Sequence, residues 1–397
     1  MFGIILALFL LGLLLVIVRF FQEPEDKNPI LSVFLVGYFL RFFVRTFNRN
    51  LVIFSDGQTL GGGDAVIYEQ RANWVIERWH QLGVHFVTSK EMPGFYDVSL
   101  PPNLFAFVGY LNNGYSAIGY LSIVAFLACL TAFILYRTYI VFDPERKVGF
   151  YAMCMMFFCP SFVAFTSDSF KEGLIIFFVV SIFSIFIHLN RQNFHLLIPT
   201  LIFCFVCLEG TRFYLVYALF PSGLVWSFWL YQKKIISLKL GLFFAFIVLL
   251  GVFWQWSEIL HAFNIGYSKD ALASNMAGSS GVNIDTGKSV FLELPIKILY
   301  TVLAPFPWQS GSLGLHLAKI EMLFWYFMIY WTCRGSWIFF KRDPIRVCIL
   351  LSFILGMTLV YAWSFANIGL MYRQRLVIFY VASILAVWGF VAAKKKT

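Results

Sequence analysis

Runs of about 17–22 apolar residues follow one another along most of the chain, parted by short polar connections. Each run suffices for a helix to cross the roughly 30 Å hydrocarbon core of a bilayer. The pattern predicts spans near 3–19, 30–48, 117–136, 148–165, 169–188, 196–211, 213–231, 239–257, 317–340, 345–364 and 375–393. A further apolar stretch, near 290–307, is amphipathic and runs into Pro305 and Pro307, which forbid a regular helix. Backbone broken at membrane depth has to be buried in protein or line a cavity. This segment is therefore expected to be re-entrant or interfacial and part of a cavity wall. A membrane β-barrel would show ~10-residue alternating segments instead. The expected fold is an all-α, polytopic membrane helix bundle of about 11 spans, forming one membrane domain over residues 1–397.

Two connections are longer than joining helices requires. The first, 51–113, carries Val75, Ile76, Trp79 and Leu82 at helical spacing, which predicts an amphipathic helix over Tyr68–Leu82 lying along the membrane surface. The second, 257–310, contains the broken segment. Its part around Gly278-Ser279-Ser280-Gly281 has no periodicity and is expected to form a mobile flap. The two halves of the chain do not repeat one another, so an inverted-repeat transporter is not supported. No basic residue precedes the first run, Ile4 to Val18, and no small-residue cleavage site follows it, so an uncleaved span is expected.

Composition agrees with this pattern. The chain is 60% hydrophobic and 13% charged, with 48 phenylalanines, whereas soluble domains carry about 25% charged residues. The formal net charge is +10. Arg137, Arg146-Lys147, Lys233-Lys234, Lys239, Lys341-Arg342, Arg346 and the tail Lys394-Lys395-Lys396 fall on one side of the predicted spans. By the positive-inside rule that side, with the C-terminus, is cytoplasmic, and both long loops are extracytoplasmic. Membrane orientation and anionic lipid account for the basic balance, without nucleic acid as a partner. Arg41, Arg45 and Arg49 run against the rule near the outer end of the second span. They either snorkel to the interface or present a basic stripe to an anionic ligand. The seven cysteines all lie in apolar segments, and Cys204 and Cys207 lack a second pair, so they are read as packing residues without disulfide or metal.

Three motifs place charge at the outer edges of apolar segments, where ionisable groups are costly and mark candidate functional sites. In the first, three glycines precede Asp64, which stands at or near the start of a helix. Asp64, Tyr68 and Arg71 share a helical face, with Glu69 beside them. Asp64 is read either as a helix cap or as a general base. In the second, Ser167 or Asp168 is placed to cap a helix whose first turn holds Lys171 and Glu172. Glu172 complements the helix dipole, but Lys171 needs an anionic partner, local or a phosphate. Arg212 opens a short connection three residues after Glu209. In the third, Arg373 and Arg375 have no acid within ten residues, so their partner comes from elsewhere in the bundle or from a ligand, and arginine binds phosphate bidentately.

The Gly63–Ala72 element (GDAxxYxxRA), the Pro160–Gly173 element (PSxxxxxSxxxKEG) and the Asn367–Arg375 element (NxGxxYRxR) together resemble the integral membrane glycosyltransferases of the C fold class and the related bacterial polysaccharide-polymerase and EpsG-like proteins. The motifs are short, and their order spans most of the chain. The resemblance implies a transferase of cell-envelope or exopolysaccharide synthesis in a bacterial inner or plasma membrane. It would use a polyprenyl-(pyro)phosphate-linked sugar donor and a glycan or lipid acceptor at the outer face. Asp64 matches the catalytic acid of the first loop. Lys171, Arg373 and Arg375 match the phosphate-side bases. The residue reading itself adds Tyr68, Glu69, Arg71, Glu172 and Arg212 as substrate-binding candidates. Loop one lacks an adjacent acidic pair, so no metal and no cofactor are expected. The competing readings are a transporter or flippase of lipid-linked or anionic solutes, which wants charge near the middle of spans, and a noncatalytic envelope scaffold.

Overall fold

The computed structural model describes residues 2–22, 24–52, 59–60, 63–92, 98–143, 145–237, 239, 241–242, 246, 290–364 and 368–394. The expected span near 239–257, the 257–289 flap, Gly61-Gly62 and Asn367 fall wholly or largely outside these residues. Among the described residues the regular elements are helices, with one antiparallel bridge between Val52 and Thr59. They are α1 (Phe2–Phe21), α2 (Pro24–Asn50), α3 (Asp64–Leu82), α4 (Leu100–Leu111), α5 (Ala117–Tyr139), α6 (Lys147–Phe157), α7 (Pro160–Phe165), α8 (Glu172–His188), α9 (Phe194–Gln232), α10 (Val290–Leu303), α11 (Leu313–Phe340), α12 (Pro344–Ser364), α13 (Ile368–Gln374) and α14 (Leu376–Lys394). Six of them, α1, α2, α5, α9, α12 and α14, are long and apolar enough to cross a membrane.

Burial separates helices of the same composition. α14 is buried on nearly all its faces, while α1, equally apolar, leaves Ile5, Leu8, Phe9, Val16 and Phe20 exposed. A helix apolar all round sits in a core or faces lipid, and here α14 is the hub and α1 the rim. α14 packs most closely on α11. A Cβ on Gly335 would collide with the carbonyl oxygen of Leu385, and one on Gly389 with Cα of Gly335. Small residues that let backbones touch are the usual means of helix association where lipid is as apolar as the side chains.

Three breaks interrupt the helical runs, and two of them depart from the predicted spans. The span expected over 148–165 is two helices, because Pro160 ends α6 and its fixed φ starts α7, with Cys159 extended between them (φ −54°, ψ 125°). The last span likewise begins one residue later than expected, after the short helix α13 and a break at Arg375. The third break is in α9. Its 39 residues would make a rod of about 58 Å if straight. Arg191, just before it, nevertheless donates from Nε to the carbonyl of Lys234, just after it, at 3.1 Å. The helix therefore folds back on itself at Arg212, which is extended (φ −163°, ψ 84°). This places the antiparallel pair expected over 196–211 and 213–231.

The first long loop is more structured than its polarity suggests. α3 buries Tyr68, Ala72, Val75, Ile76 and Trp79, and its apolar face meets α4 as well as the bundle. No helix was expected over 100–111. Pro101 and Pro102 read as breakers, yet at the first positions of a helix their missing amides cost nothing. In the broken segment α10 stops at Leu303, a cis Ala304–Pro305 bond follows, and Ala304 packs with Leu315, Ile368 and Met371.

Candidate functional site

Polar side chains gather at the two ends of the bundle. One end joins Arg146 to Asp26 and Lys394 to Glu145. The other brings together the motifs singled out from the sequence, although they come from four distant stretches of chain.

Asp64 opens α3 with Gly63 as the N-cap residue, and its side chain makes no capping bond. Its Oδ2 accepts instead from Nη2 of Arg373, in the last turn of α13. Arg373 Nε donates to Oε1 of Glu172 at 2.7 Å, and Arg212 Nη2 reaches the same oxygen at 3.3 Å. Glu172 and Arg212 are each 3% exposed and Arg373 17%, while Asp64 is 38% exposed, so Asp64 is the member of this group that solvent or a substrate reaches most readily. Oε2 of Glu172 and Nη1 of Arg212 are buried without a hydrogen-bond partner. Lys171 precedes the first turn of α8, and its ammonium lies over the Tyr68 ring, 5.8 Å from the centroid. Tyr214 holds the same region from the far side of the α9 fold, donating to Gln374 Oε1 at 2.7 Å.

Three cations, Arg212, Arg373 and Lys171, thus stand against two carboxylates. Burial by itself raises the Asp64 carboxyl, but the Arg373 guanidinium, helped by Lys171 and Arg212, holds it below the usual carboxylate range. Burial, reinforced by Arg212, pushes the Lys171 ammonium down to about 7 against the opposing pull of Glu172. A site with an accessible carboxylate and a surplus of buried and half-buried positive charge is suited to an anionic ligand that brings an exchangeable proton near Asp64.

The remaining predicted site residues go elsewhere. Glu69 is not with Asp64: it accepts from Arg45 at 2.9 Å, Arg49 at 2.7 Å, Ser169 at 2.8 Å and Tyr115 at 3.0 Å. Asp168 does not cap α8 either. Arg49 grips it with two bonds of 2.6 and 2.7 Å, and Arg45 stands at 3.1 Å. Arg41 is fully buried, donating to Thr166 Oγ1 at 2.8 Å and to the carbonyls of Gly37 and Phe157. The arginine stripe of α2 therefore neither snorkels nor waits for a ligand. It ties α2 to α3 and to the α7–α8 connection. Arg375 also turns away from Asp64. It donates to the carbonyls of Thr301 and Ala304 and contacts the sulfur of Met322, so it seals the broken end of α10. Arg71 is partly buried on α3, two turns after Asp64.

A carboxylate that the sequence reading passed over stands behind this group. Glu321 is the one acid in α11 and is buried. It accepts from the Ser161 amide (2.8 Å), the Ser161 hydroxyl (2.5 Å), Trp325 Nε1 (2.7 Å), the Tyr372 hydroxyl (2.7 Å) and the Cys159 thiol (3.0 Å). It thereby satisfies the backbone freed by the Pro160 break and anchors Tyr372, the neighbour of Arg373. A lone acid inside an apolar run was the available signal. Glu293 and Lys297 form a second buried pair at 3.0 Å on α10. Among the described residues, no group of three or more His, Cys, Asp or Glu is placed to hold a metal ion.

Comparison of the chain with family models, curated proteins and solved structures finds no match.

Proposed function

We propose that this protein is a membrane glycosyltransferase acting on a polyprenyl-(pyro)phosphate-linked sugar at the extracytoplasmic face, in cell-envelope or exopolysaccharide synthesis. The observation that carries the reading is the meeting of Asp64, Lys171, Glu172, Arg212 and Arg373 at one end of the bundle, with Arg212 buried, Lys171 and Arg373 half-buried and Asp64 the more accessible partner of Arg373. Asp64 takes the proton of the acceptor hydroxyl as its oxygen attacks the anomeric carbon. The bond from that carbon to the phosphate oxygen breaks, and the charge left on the phosphate is held by Arg373, Arg212 and Lys171. Glu172 orients Arg373 and Arg212 through a shared oxygen. Release of polyprenyl (pyro)phosphate from a lipid-linked sugar by the purified protein, lost in Asp64→Asn, tests this. Normal glycan in cells carrying only Asp64→Asn would overturn it.

Transport of a lipid-linked or anionic solute is the second reading, favoured by the buried charges Glu321 and Glu293–Lys297 inside apolar helices. It predicts movement of intact donor across vesicles with no bond cleaved, an outcome the release assay separates from transfer.

A further inference from the structure

At the end of the bundle opposite Asp64, a hollow of about 400 Å³ opens where the fold-back of α9 returns to the end of α8. Arg191, Lys233, Arg346 and His188 line it, and no carboxylate is among the described residues of its walls. Arg346 comes from the first turn of α12. It gives Nη1 to Asp343 at 3.3 Å and Nη2 to the carbonyl of Ile187 at 3.3 Å, while Nε is buried without a partner. Its guanidinium also lies over the Trp229 ring, 5.5 Å from the centroid. Arg191 closes the fold-back on the Lys234 carbonyl. Lys233 is exposed at the rim. The charge here exceeds what capping two helix ends requires.

We propose that this hollow binds the phosphate headgroup of an anionic glycerophospholipid. The chemistry of its rim is phosphate chemistry: two guanidinium groups and an ammonium converge from three segments. Its floor is apolar, with Ile187, Leu189 and Ile235 beside Trp229, which fits a glycerol backbone better than a hydrated free anion. Exposed Phe228 and Tyr231 stand on the adjoining turns of α9, where the acyl chains of a bound lipid would run. Basic pockets between helices at the positively charged face of a membrane protein are suited to anionic headgroups. The site is independent of the transfer chemistry proposed above.

The test uses the full chain, purified and placed in phosphatidylcholine bilayers containing a minor share of phosphatidylglycerol, with retained lipid counted by native mass spectrometry. Phosphatidylglycerol should be retained over phosphatidylcholine by about fivefold per engaged cation. Lys233→Gln should lower retention about fivefold, since it removes one rim charge and no observed structural bond. Lys341→Gln, at the same end but outside the hollow, should leave it unchanged. Equal losses in the two variants would reduce the effect to diffuse surface charge and overturn the site. Equal retention of both lipids, or displacement of the lipid by ~10 mM inorganic phosphate, would overturn it as well.

Discussion

At the scale of the residue, Asp64 and Arg373 each answer the other's need. An unpaired arginine beside lipid is costly, and Arg373 finds its partners 309 and 201 residues away in Asp64 and Glu172. Asp64→Asn keeps the shape and one acceptor oxygen while removing the charge. It should lower transfer by about 10²–10⁴-fold, with protein levels in the membrane unchanged; a loss of the folded protein instead would assign Asp64 to structure alone. The pH profile provides a second check. Asp64 is held below the ordinary carboxylate range, so it stays ionised from mildly acidic pH upward and sets no limb there. Lys171, pushed down to about 7, is a cation below that value and neutral above it. Phosphate binding should therefore weaken as pH rises through about 7, seen as a rising KM for donor. Lys171→Arg, which stays charged to pH 12 or so, should remove that limb; an unchanged limb would exclude Lys171 as its source. Charge at the edges of apolar runs singled out Asp64, Lys171 and Arg373 in the sequence, and the structure brings the three together. The same signal misplaced Glu69 and Arg375, because the direction a side chain turns is set by partners far along the chain. Arg45, Arg49 and Ser169 draw Glu69, and two freed carbonyls at the end of α10 draw Arg375.

At the scale of the element, hydropathy located the long helices, but proline was an uneven guide to their breaks: Pro160 ends α6, whereas Pro199 and Pro221 lie inside α9, which breaks at Arg212, and how each break is satisfied was not legible. The Pro160 break leaves the Ser161 amide free, and Glu321 takes it from α11. Glu321→Ala should strand that amide together with the Trp325 indole and the Tyr372 hydroxyl. Buried polar groups left unpaired cost about 1–3 kcal/mol each, so the variant should melt well below the parent in detergent, and Glu321→Gln, which keeps an acceptor oxygen, should melt between the two. A Glu321→Ala protein as stable as the parent would remove the anchoring role. The α11–α14 contact was equally hidden, since glycine reads as a weakness in a helix until a neighbour's backbone is seen against it. Gly335→Ala sets a methyl where the Leu385 carbonyl already stands. The two helices must separate, at a cost of about 1–3 kcal/mol. Gly12→Ala, where nothing lies within 4 Å, should be neutral or slightly stabilising by helix propensity. Equal melting temperatures for the two variants would show that the close approach is absent. α4 escaped notice for a different reason: at 12 residues it is too short to span, and its prolines mimic a loop.

At the scale of the whole molecule, the two polar ends of the bundle carry different burdens. One end holds ion pairs that join α2, α3, α8, α9 and α13 around Asp64. The other carries the basic connections Arg137, Arg146, Lys233, Lys341 and Arg346 and meets the end of α14 at Lys394. At the first end Arg45 and Arg49 pair with Glu69 and Asp168, and Arg41 is buried on Thr166 and the carbonyls of Gly37 and Phe157, so all three are held inside the protein. They still run against the orientation rule, which weighs Lys and Arg and not net charge. The short basic connections still concentrate at the second end, and the positive-inside rule predicts that this end is cytoplasmic. A single cysteine beside Lys394, in a background with the exposed Cys333 replaced, should be protected from a membrane-impermeant maleimide in intact cells and react after permeabilisation. A cysteine at Leu82, exposed at the end of α3, should react in intact cells. Both sites reacting from outside would break the helix topology, because α14 could not then cross. Reversal of the two would keep the bundle but put the Asp64 site on the cytoplasmic face. A lipid-linked donor presented outside could not reach it there, and the transferase reading would fall with the orientation.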